Sequence, residues 1–398
     1  MRIRRDEYLN KLHDFKHKDL IKVVSGVRRS GKSTLFDLFI DDLKNEGVKE
    51  NQIIQLNFED PMYRDLLSDP YELYDFLLDK MKEEIQYYIF LDEIQAVYQF
   101  EKCVNGLNIK KNVDLYLTGS NAYFLSSELA TLLTGRYITI EILPLSFKEF
   151  TQANPEKSKE ENYQSYSQTS FPYALSLEEN QQKELYVTTI IDTILLNDVV
   201  PRINATNIVL LKRIFAFLLD SIGSEISINK IATVLSNRGE GKIYPKMVDK
   251  YLSGLLEALL MYSIPRFDLK GKQILLGNAK YYSVDVGLRK VMLGNTKEDV
   301  GHILENIVFL ELKRRGYQVF VGKIQEFEID FVCKIENRYE YFQVASSVLD
   351  PKTLERELRP FNYLNDGYAR TLLTFDVIGE GANYEGVIQK NVLNWLLE

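Results

Sequence analysis

Residues 26–34 read Gly-Val-Arg-Arg-Ser-Gly-Lys-Ser-Thr and match the phosphate-binding pattern G-x-x-x-x-G-K-S/T. The glycines of this pattern let backbone N–H groups curl around phosphates at the N-terminus of a helix, where partial positive charge favours anions. A short, mostly apolar run at residues 20–25 precedes the loop and is typical of a buried parallel strand. Apolar residues follow at helical spacing from Leu35 to Leu43. The order of strand, glycine loop and helix predicts a binding site for a nucleoside triphosphate.

This loop supplies the candidate nucleotide-binding residues. We expect Lys32 to reach the outer phosphates and the Ser33 hydroxyl to bind Mg²⁺. The remaining candidates in the loop and the first helical turn are Gly26, Arg28, Arg29, Ser30, Gly31 and Thr34.

A second motif, at residues 87–93, predicts that the bound nucleotide is hydrolysed. A buried-strand run, Tyr-Tyr-Ile-Phe-Leu, ends in Asp92 and Glu93. Open α/β sheets place their ligands at the carboxyl ends of parallel strands. We therefore expect Asp92 to hold the Mg²⁺ together with Ser33, and Glu93 to orient and polarise the attacking water. An Asp-Glu pair at a strand end is weak evidence by itself, because acidic residues are common on loops. The prediction of hydrolysis therefore depends on the phosphate-binding loop upstream.

Three further residues are candidates for supporting catalysis. The strand at residues 113–117 leads towards Ser120 and Asn121, whose side chains can hold the lytic water or sense the γ-phosphate. A helix N-cap for the segment that begins near Tyr123 explains these two residues equally well. Arg136 can stabilise transition-state charge as an arginine finger on a neighbouring subunit of a homo-oligomer. The alternative for Arg136 is an ordinary surface arginine.

Residues 1–150 are predicted to form one α/β unit. Helical stretches separate five candidate strands near residues 20–25, 52–58, 87–91, 113–118 and 137–142. Such alternation implies the parallel sheet of a P-loop NTPase with helices on both faces. The following residues 151–177 are largely polar, so we expect a linker or insert there.

Residues 178–295 are predicted to form a helical, winged-helix domain. Three amphipathic helices precede two strand-like runs, at residues 261–264 and 281–284, which bracket a short lysine-glycine turn. Winged helices often bind DNA by placing their third helix in the major groove. The candidate DNA-contacting residues are Lys246, Lys250, Ser253, Arg266, Lys270 and Lys272. Asp249 and Glu257 dilute this basic face, and the alternative role of the module is a structural lid or subunit contact.

Residues 296–398 mix helix and strand in the layout of restriction-endonuclease-like α/β domains. In that layout a helical Glu, a strand Asp and a strand Glu-x-Lys hold Mg²⁺ and activate water. Glu305 and Asp330 fill the first two positions, but Gln343 and Ala345 stand where Glu and Lys are needed. The basic residues that could compensate from the following segment are Lys352, Arg356 and Arg359. The pattern favours a degenerate, nuclease-like scaffold over an active nuclease.

Taken together, these motifs resemble an AAA-type P-loop ATPase of the prokaryotic group that carries a winged-helix region and a C-terminal, restriction-endonuclease-like domain of unknown function. The resemblance rests on residues 26–34, 90–95, 118–120, 135–137, 143–150, 171–175 and 280–282. It implies that the nucleotide is ATP, and it places Lys32, Ser33, Asp92 and Glu93 at the family's catalytic positions. The family has glycines before the Phe-Pro pair at residues 171–172. Thr and Ser stand there in this chain, so we expect that turn to differ.

Composition limits the cellular setting. The net charge of the 398 residues is −8, which argues against nonspecific nucleic-acid binding by the whole surface. No apolar run approaches the roughly 18 residues that span a bilayer, and no apolar signal core follows the basic N-terminus. Two cysteines and three histidines give neither a disulfide framework nor a metal cluster. We therefore expect a cytoplasmic protein that does not enter a membrane.

Three functions are compatible with these patterns. In the first, Mg²⁺-dependent ATP hydrolysis drives a conformational change that remodels DNA or a protein partner. In the second, the chain is a slow, ATP-controlled switch or scaffold with a non-catalytic, nuclease-like binding domain. The third, an ATP-gated nuclease, is less favoured because of Gln343 and Ala345. Fast turnover stimulated by a polymer would separate the first from the second, and metal-dependent cutting would support the third.

Overall fold

The computed structural model describes residues 2–82, 84–119, 132–133, 135–237, 241–294 and 300–398, apart from the side chain of Leu276. The chain divides into two compact units, residues 1–144 and residues 145–398. None of the helices within these described ranges is long and apolar enough to cross a membrane.

The first unit contains a parallel five-stranded sheet. Its strands are β1 (Ile21–Ser25), β2 (Ile53–Asn57), β3 (Tyr87–Asp92), β4 (Val113–Gly119) and β5 (Tyr137–Glu141). Its helices are α1 (Asp6–Asp14), α2 (Lys32–Asn45), α3 (Pro70–Asp79) and α4 (Phe100–Asn108). The strands lie in the order β2-β3-β4-β1-β5, and all neighbours pair in parallel. The predicted parallel sheet is confirmed, with every strand within one residue of its predicted bounds.

Both faces of this sheet are buried. Ile89 and Leu91 of β3 enter one apolar core, which includes residues of α3 and α4. Phe90 enters the other core, together with Phe36 and Phe39 of α2. Because β3 is covered on both sides, its sequence is a continuous apolar run up to Asp92 rather than an alternation.

An ion pair within the sheet joins β1 to β4. The side chains of Lys22 and Asp114 are at most 1% exposed, and the Lys22 ammonium contacts the Asp114 carboxylate. Lys22 Nζ also donates to the carbonyl of Lys18 at 3.0 Å. Asp114 accepts from the backbone N–H of His17 and from the Tyr116 hydroxyl, both at 2.9 Å. The Lys22 ammonium and the Asp114 carboxylate are therefore both hydrogen-bonded within the protein, in a part of the sheet that water does not reach.

The second unit contains one nine-stranded sheet. Its strands are β6 (Glu225–Ile226), β7 (Met261–Asp268), β8 (Gln273–Ser283), β9 (Gln318–Ile324), β10 (Phe327–Ile335), β11 (Arg338–Val344), β12 (Ala369–Thr374), β13 (Asn383–Tyr384) and β14 (Val387–Asn391). They lie in the order β13-β14-β12-β11-β10-β9-β7-β8-β6. The hairpin of β7 and β8 is continuous with the C-terminal strands, because β7 pairs in parallel with β9 from Arg266 beside Val321 onward.

The helices of the second unit are α5 (Phe147–Ala153), α6 (Lys159–Tyr166), α7 (Asn180–Ile194), α8 (Val200–Arg202), α9 (Ile208–Asp220), α10 (Ile228–Leu235), α11 (Pro245–Glu257), α12 (Gly287–Leu293), α13 (Val300–Arg314), α14 (Pro351–Leu358) and α15 (Val392–Trp395). Helix α9, strand β6, helices α10 and α11 and the hairpin follow one another, and β6 pairs with β8 antiparallel. This is the element order of the predicted winged helix, and the assignment stays a prediction.

The polar stretch at residues 151–177, predicted as a linker or insert, contains helical structure. Ser158 and Glu161 form a reciprocal capping box at the start of α6, with N···O distances of 3.2 and 2.9 Å. Tyr166 at the end of α6 is buried and donates to the carbonyl of Leu145 at 3.0 Å. The polar residues thus cap a helix, and the pattern S-x-x-E was the sequence signal for it.

Thr169 and Ser170, which replace the glycines of the resembling family, anchor their turn to a buried acid. The backbone N–H and the hydroxyl of Ser170 donate to Asp285 at 2.5 and 2.6 Å. Asp285 also accepts from the backbone N–H of Gly287 at 2.8 Å. A Cβ at Gly287 would lie 2.1 Å from the carbonyl oxygen of Gln168, so only glycine permits this approach.

Candidate nucleotide-binding site

The strand order brings the sequence motifs to one edge of the first unit's sheet. Strand β4 lies between β1, which leads into the phosphate-binding loop, and β3, which ends at Asp92. The register pairs Ser25 with Gly119 and Leu91 with Leu117. The loop, the two acids and the end of β4 therefore meet at the carboxyl edge, where α/β sheets bind ligands.

Steric limits explain the two glycines of the loop. A Cβ at Gly26 would lie 2.3 Å from the carbonyl oxygen of Ile142, which is closer than any side chain permits. Gly31 precedes the first residue of α2 with a φ of 99°, a left-handed conformation that favours glycine. The loop's compact path thus requires glycine at both positions.

The side chain of Lys32 lies inside the loop. Its ammonium donates to the carbonyls of Gly26 and Val27 at 3.1 and 3.3 Å. The same nitrogen is 3.8 Å from Oε1 of Glu93. Because Lys32 is only 5% exposed, its charge is held close to the loop backbone and to the candidate catalytic acid.

The other loop residues predicted to bind nucleotide differ in exposure. Arg28 is half-buried and donates to Glu59 at 2.9 Å. Arg29, Ser33 and Thr34 are exposed to solvent. Ser33 nevertheless lies close enough to Asp92 to lower the pKa of that carboxyl, so the two predicted Mg²⁺ ligands are near each other.

A buried arginine braces the loop from the N-terminal segment. Arg5 is 3% exposed and donates to the carbonyl of Ser30 at 3.2 Å and to that of Leu143 at 2.9 Å. The Ser30 hydroxyl is buried and has no hydrogen-bond partner among the described residues. An unsatisfied polar atom therefore lies within a loop whose shape Arg5 helps to fix.

Thr118 connects the two candidate catalytic acids. Its hydroxyl oxygen accepts from the backbone N–H of Glu93 at 2.9 Å, and its hydroxyl donates to the carboxylate of Asp92. Asp92 is 2% exposed, and this burial raises its pKa, while the hydrogen bonds from Ser33 and Thr118 lower it. Burial outweighs the opposing effect of Thr118 and Ser33, so the pKa of Asp92 lies above its ordinary value, and a bound cation would favour the charged form.

The Glu93 carboxylate is held by a neighbouring amide. Gln95 Nε2 donates to Oε2 of Glu93 at 2.5 Å. The backbone of Glu93 has a φ of 54°, in the left-handed region that non-glycine residues seldom adopt. Together with the hydrogen bond to Thr118, these contacts fix both the backbone and the side chain of Glu93.

Of the three remaining predicted catalytic residues, only Arg136 lies within the described part of the chain. Ser120 and Asn121 fall outside the described residues. Arg136 is exposed, and its carbonyl accepts from the backbone N–H of Ile21 at 2.9 Å, at the amino end of β5. The length of β5 therefore separates Arg136 from the carboxyl edge of its own sheet, about 16 Å for five residues.

Sequence reasoning missed the contributions of Thr118, Gln95 and Arg5. The rule that selected Ser120, a polar side chain at a strand end, applies equally to Thr118. Gln95 lies within residues 90–95, which support the family resemblance, but it had no predicted role. For Arg5 no sequence signal existed, because its contacts with Ser30 and Leu143 span 25 and 138 residues.

Replacing Thr118 by valine tests the importance of this connection. We expect Thr118→Val to lower the rate of ATP hydrolysis by about 10- to 100-fold, because a buried N–H of Glu93 loses its partner and Asp92 loses a donor. Thr118→Ser keeps the hydroxyl and is the matched control. Steady-state phosphate release measures both variants, and equal rates for valine and wild type would contradict the role of the hydroxyl.

Comparison with known proteins agrees with this geometry. The AAA domain family matches residues 18–151, and a domain of unknown function matches residues 160–299. Among solved structures, the Walker-type ATPase of Pyrococcus abyssi is similar, with a TM-score of 0.50, 16% identity, and coverage of 73% of this chain and 95% of that chain. The first unit therefore has the fold of a P-loop NTPase, and its residues 18–151 match the AAA domain family.

Two relatives extend the comparison over most of the chain. An uncharacterized protein of Haemophilus influenzae is 38% identical over 402 residues, which cover 100% of this chain and 99% of that protein. An uncharacterized protein of Methanocaldococcus jannaschii is 33% identical over 357 residues, covering 86% and 78% respectively. This chain belongs to the same family as these two proteins.

Proposed function

We propose that this chain is an Mg²⁺-dependent ATPase whose cycle of ATP binding and hydrolysis changes its conformation and remodels DNA or a protein partner. One observation carries the proposal: Lys32, Ser33, Asp92 and Glu93 converge at one sheet edge, and Thr118 bonds to both acids. Such a set of a lysine, a hydroxyl and two acids is what phosphoryl transfer to water needs.

The residues present fit a nucleotide with Mg²⁺. The loop holds an unsatisfied hydroxyl, Ser30 Oγ, and an ammonium, Lys32 Nζ. Ser33 and Asp92 offer oxygen atoms, the ligands that Mg²⁺ prefers. Mg²⁺ would neutralise charge on the phosphate oxygens when bound. The choice of ATP over other nucleotides follows from the family resemblance.

Each side chain then has a defined task. Lys32 stabilises negative charge on the outer phosphates, from a position held by the loop's own carbonyls. Glu93 orients the attacking water and accepts its proton, and the hydrogen bond from its N–H to Thr118 fixes the geometry. Asp92 and Ser33 hold the cation.

Arg136 is proposed as an arginine finger that acts on the site of a neighbouring subunit. Its position at the amino end of β5 leaves it remote from its own chain's phosphate-binding loop. Only an arrangement in trans would let its exposed guanidinium reach a nucleotide, which implies a homo-oligomer. Ser120 and Asn121 remain candidates for holding the lytic water.

A slow, ATP-controlled switch is the second candidate function. The carboxylate of Glu93 is engaged by Gln95 at 2.5 Å and lies 3.8 Å from the Lys32 ammonium. An acid held in this way must be rearranged before it can accept a proton from water, which favours slow basal turnover. Steady-state ATP hydrolysis with and without single- and double-stranded DNA separates the two functions. Strong stimulation supports remodelling of DNA, whereas slow turnover indifferent to DNA supports the switch.

The proposed DNA-binding surface lies on the predicted winged helix. Lys246 and Lys250 are exposed on α11, and Lys270 and Lys272 are exposed at the turn between β7 and β8. Arg266, also a predicted contact, is half-buried with its guanidinium 3.6 Å from Glu225, and we leave it out of this surface. The predicted contact Ser253 is half-buried on α11.

Charge reversal tests this surface in two separate pairs. We expect Lys246→Glu with Lys250→Glu, and likewise Lys270→Glu with Lys272→Glu, to weaken DNA binding. Each lost phosphate contact should also flatten the slope of log K against log salt by about 0.9. Fluorescence anisotropy of labelled duplex DNA at several salt concentrations measures both effects.

Lys110→Glu with Lys111→Glu in the first unit makes the same change in net charge and serves as the control. An unchanged salt slope in both test pairs would reject the proposed DNA-binding surface.

A further inference from the structure

Lys280 of β8 is a buried cation surrounded by acids from two other elements. Its side chain is 4% exposed. Its ammonium lies 2.9 Å from Oε1 of Glu305 on α13 and 2.7 Å from Oε1 of Glu328 on β10. Asp330, also on β10, is 3.7 Å away. Burial acts against the charge of this lysine, but the three carboxylates together raise its pKa above the usual value. The side chain is therefore an ammonium ion at neutral pH.

Further groups of the protein contact each of these acids. The Tyr282 hydroxyl donates at 2.6 Å to the same Glu305 oxygen that Lys280 contacts, whereas the backbone N–H of Val344 donates at 2.9 Å to the second oxygen of Asp330. The second oxygen of Glu328 lies 3.0 Å from the ammonium of Lys323. A Cβ at Gly223 would lie 2.8 Å from Glu305, so backbone also packs directly against this acid. The acids thus converge on Lys280, which is itself almost fully buried, and Glu328 at the edge of the cluster is partly exposed.

Glu305 and Asp330 are the two acids whose spacing suggested a nuclease-like metal site. Gln343 stands at the position of a third acid, and both ends of its side-chain amide are hydrogen-bonded within the protein. Its Oε1 accepts from the backbone N–H of Asp330 at 3.2 Å, and its Nε2 donates to Glu357 at 2.8 Å. Within the described residues, no group of three or more His, Cys, Asp and Glu side chains could hold a metal ion. The residues present therefore do not fit an Mg²⁺ site.

We propose that the ammonium of Lys280 takes the place of a divalent cation and is the permanent counter-ion of this acidic cluster. Carboxylates buried together need a positive partner, because leaving them unpaired in a low dielectric is strongly unfavourable. A covalently attached ammonium supplies that partner without metal. It also joins three elements, since β8, α13 and β10 each contribute a charge to the cluster. The C-terminal region is then a metal-independent structural module that does not cut nucleic acid.

The Lys280→Ala variant should convert the cluster into a metal site. Its melting temperature in EDTA should fall by about 10 °C, because the mostly buried Glu305 and Asp330 and the partly exposed Glu328 lose their shared partner. Mn²⁺ should restore much of this loss. Electron paramagnetic resonance of free Mn²⁺, without nucleotide, should show one additional Mn²⁺ bound per chain relative to wild type.

Two controls isolate the effect to this cluster. Lys280→Ala combined with Asp330→Asn removes one of the acids and should abolish the additional Mn²⁺. Lys323→Ala removes the neighbouring lysine, which contacts the outer oxygen of Glu328 and Oε1 of Glu225 but neither Glu305 nor Asp330, and should not create a metal site. Binding of Mn²⁺ to Lys280→Ala that does not exceed that of wild type would overturn the proposal.

If Lys280→Ala does not fold, the proposal can still be tested on proteins that retain Lys280. Wild type and Asp330→Asn should bind the same amount of Mn²⁺, and neither should nick supercoiled DNA in its presence. Cation binding or cutting that disappears in Asp330→Asn would mean that the cluster already accommodates a metal beside Lys280, and the proposal would be wrong.

Discussion

Replacing Glu93 by glutamine is expected to lower steady-state ATP hydrolysis by about 10²- to 10⁴-fold, the contribution of a positioned general base, while ATP binding is retained. Glutamine has the same shape but cannot accept a proton from water. We expect the binding loop, Ser33 and Asp92 to keep their positions, because the substitution alters none of these residues. Phosphate release measures turnover, and a fluorescent ATP analogue measures binding. Turnover near the wild-type rate in Glu93→Gln would contradict the proposed ATPase mechanism.

Two comparisons sharpen this experiment. Glu72→Gln makes the same chemical change on the exposed surface of α3 and should leave both quantities unaltered. Lys32→Ala should weaken ATP binding itself, because the ammonium inside the loop is lost.

Arg136→Ala should keep ATP binding but lose turnover, because the proposed arginine finger is removed. A rate of hydrolysis unchanged at several protein concentrations would exclude Arg136 as an arginine finger.

Replacing Lys22 by methionine is expected to lower the free energy of unfolding of the first unit by about 3–5 kcal/mol. The substitution leaves the Asp114 carboxylate buried in the sheet without its cation. The hydrogen bonds from His17 and Tyr116 remain, but they do not neutralise the charge. Urea unfolding followed by circular dichroism measures the change.

The double variant Lys22→Met with Asp114→Leu should recover much of the lost stability, because no unpaired charge stays buried. Arg4→Gln is the exposed counterpart: it breaks a bidentate pair with Asp42, at 2.9 and 3.0 Å, in which Arg4 is 57% exposed. We expect that change to remain below about 1 kcal/mol. A loss for Lys22→Met as small as that for Arg4→Gln would refute the importance of the buried pair.

The sheet of the first unit was predictable because local patterns specified it. The apolar runs before the loop and before Asp92 can only be strands covered on both faces, and the loop itself fixes a strand-to-helix turn. The convergence of Ser33 with Asp92 follows from the rule for strand ends and needs no knowledge of side-chain packing.

Other features depend on contacts that no local pattern encodes. Arg5 reaches the loop from a distant position in the sequence, and Lys280 meets Glu305 and Asp330 only because two parts of the second unit share a sheet. The helix that begins after Ser158 was overlooked because its residues are polar, although the capping box was readable. Composition was thus a poorer guide there than the identity of the capping residues.

The sheet shared by the hairpin and the C-terminal strands has a consequence for synthesis on the ribosome. Strand β7 ends at Asp268, whereas its partner β9 begins at Gln318, 50 residues later. At a translation rate of about 5–20 residues per second, the β7 edge stays unpaired for ~3–10 s before β9 is synthesised. An unpaired edge is prone to associate with other nascent chains. Fragments that end before residue 318 should therefore aggregate, and this region should depend on chaperones until β9 has been translated.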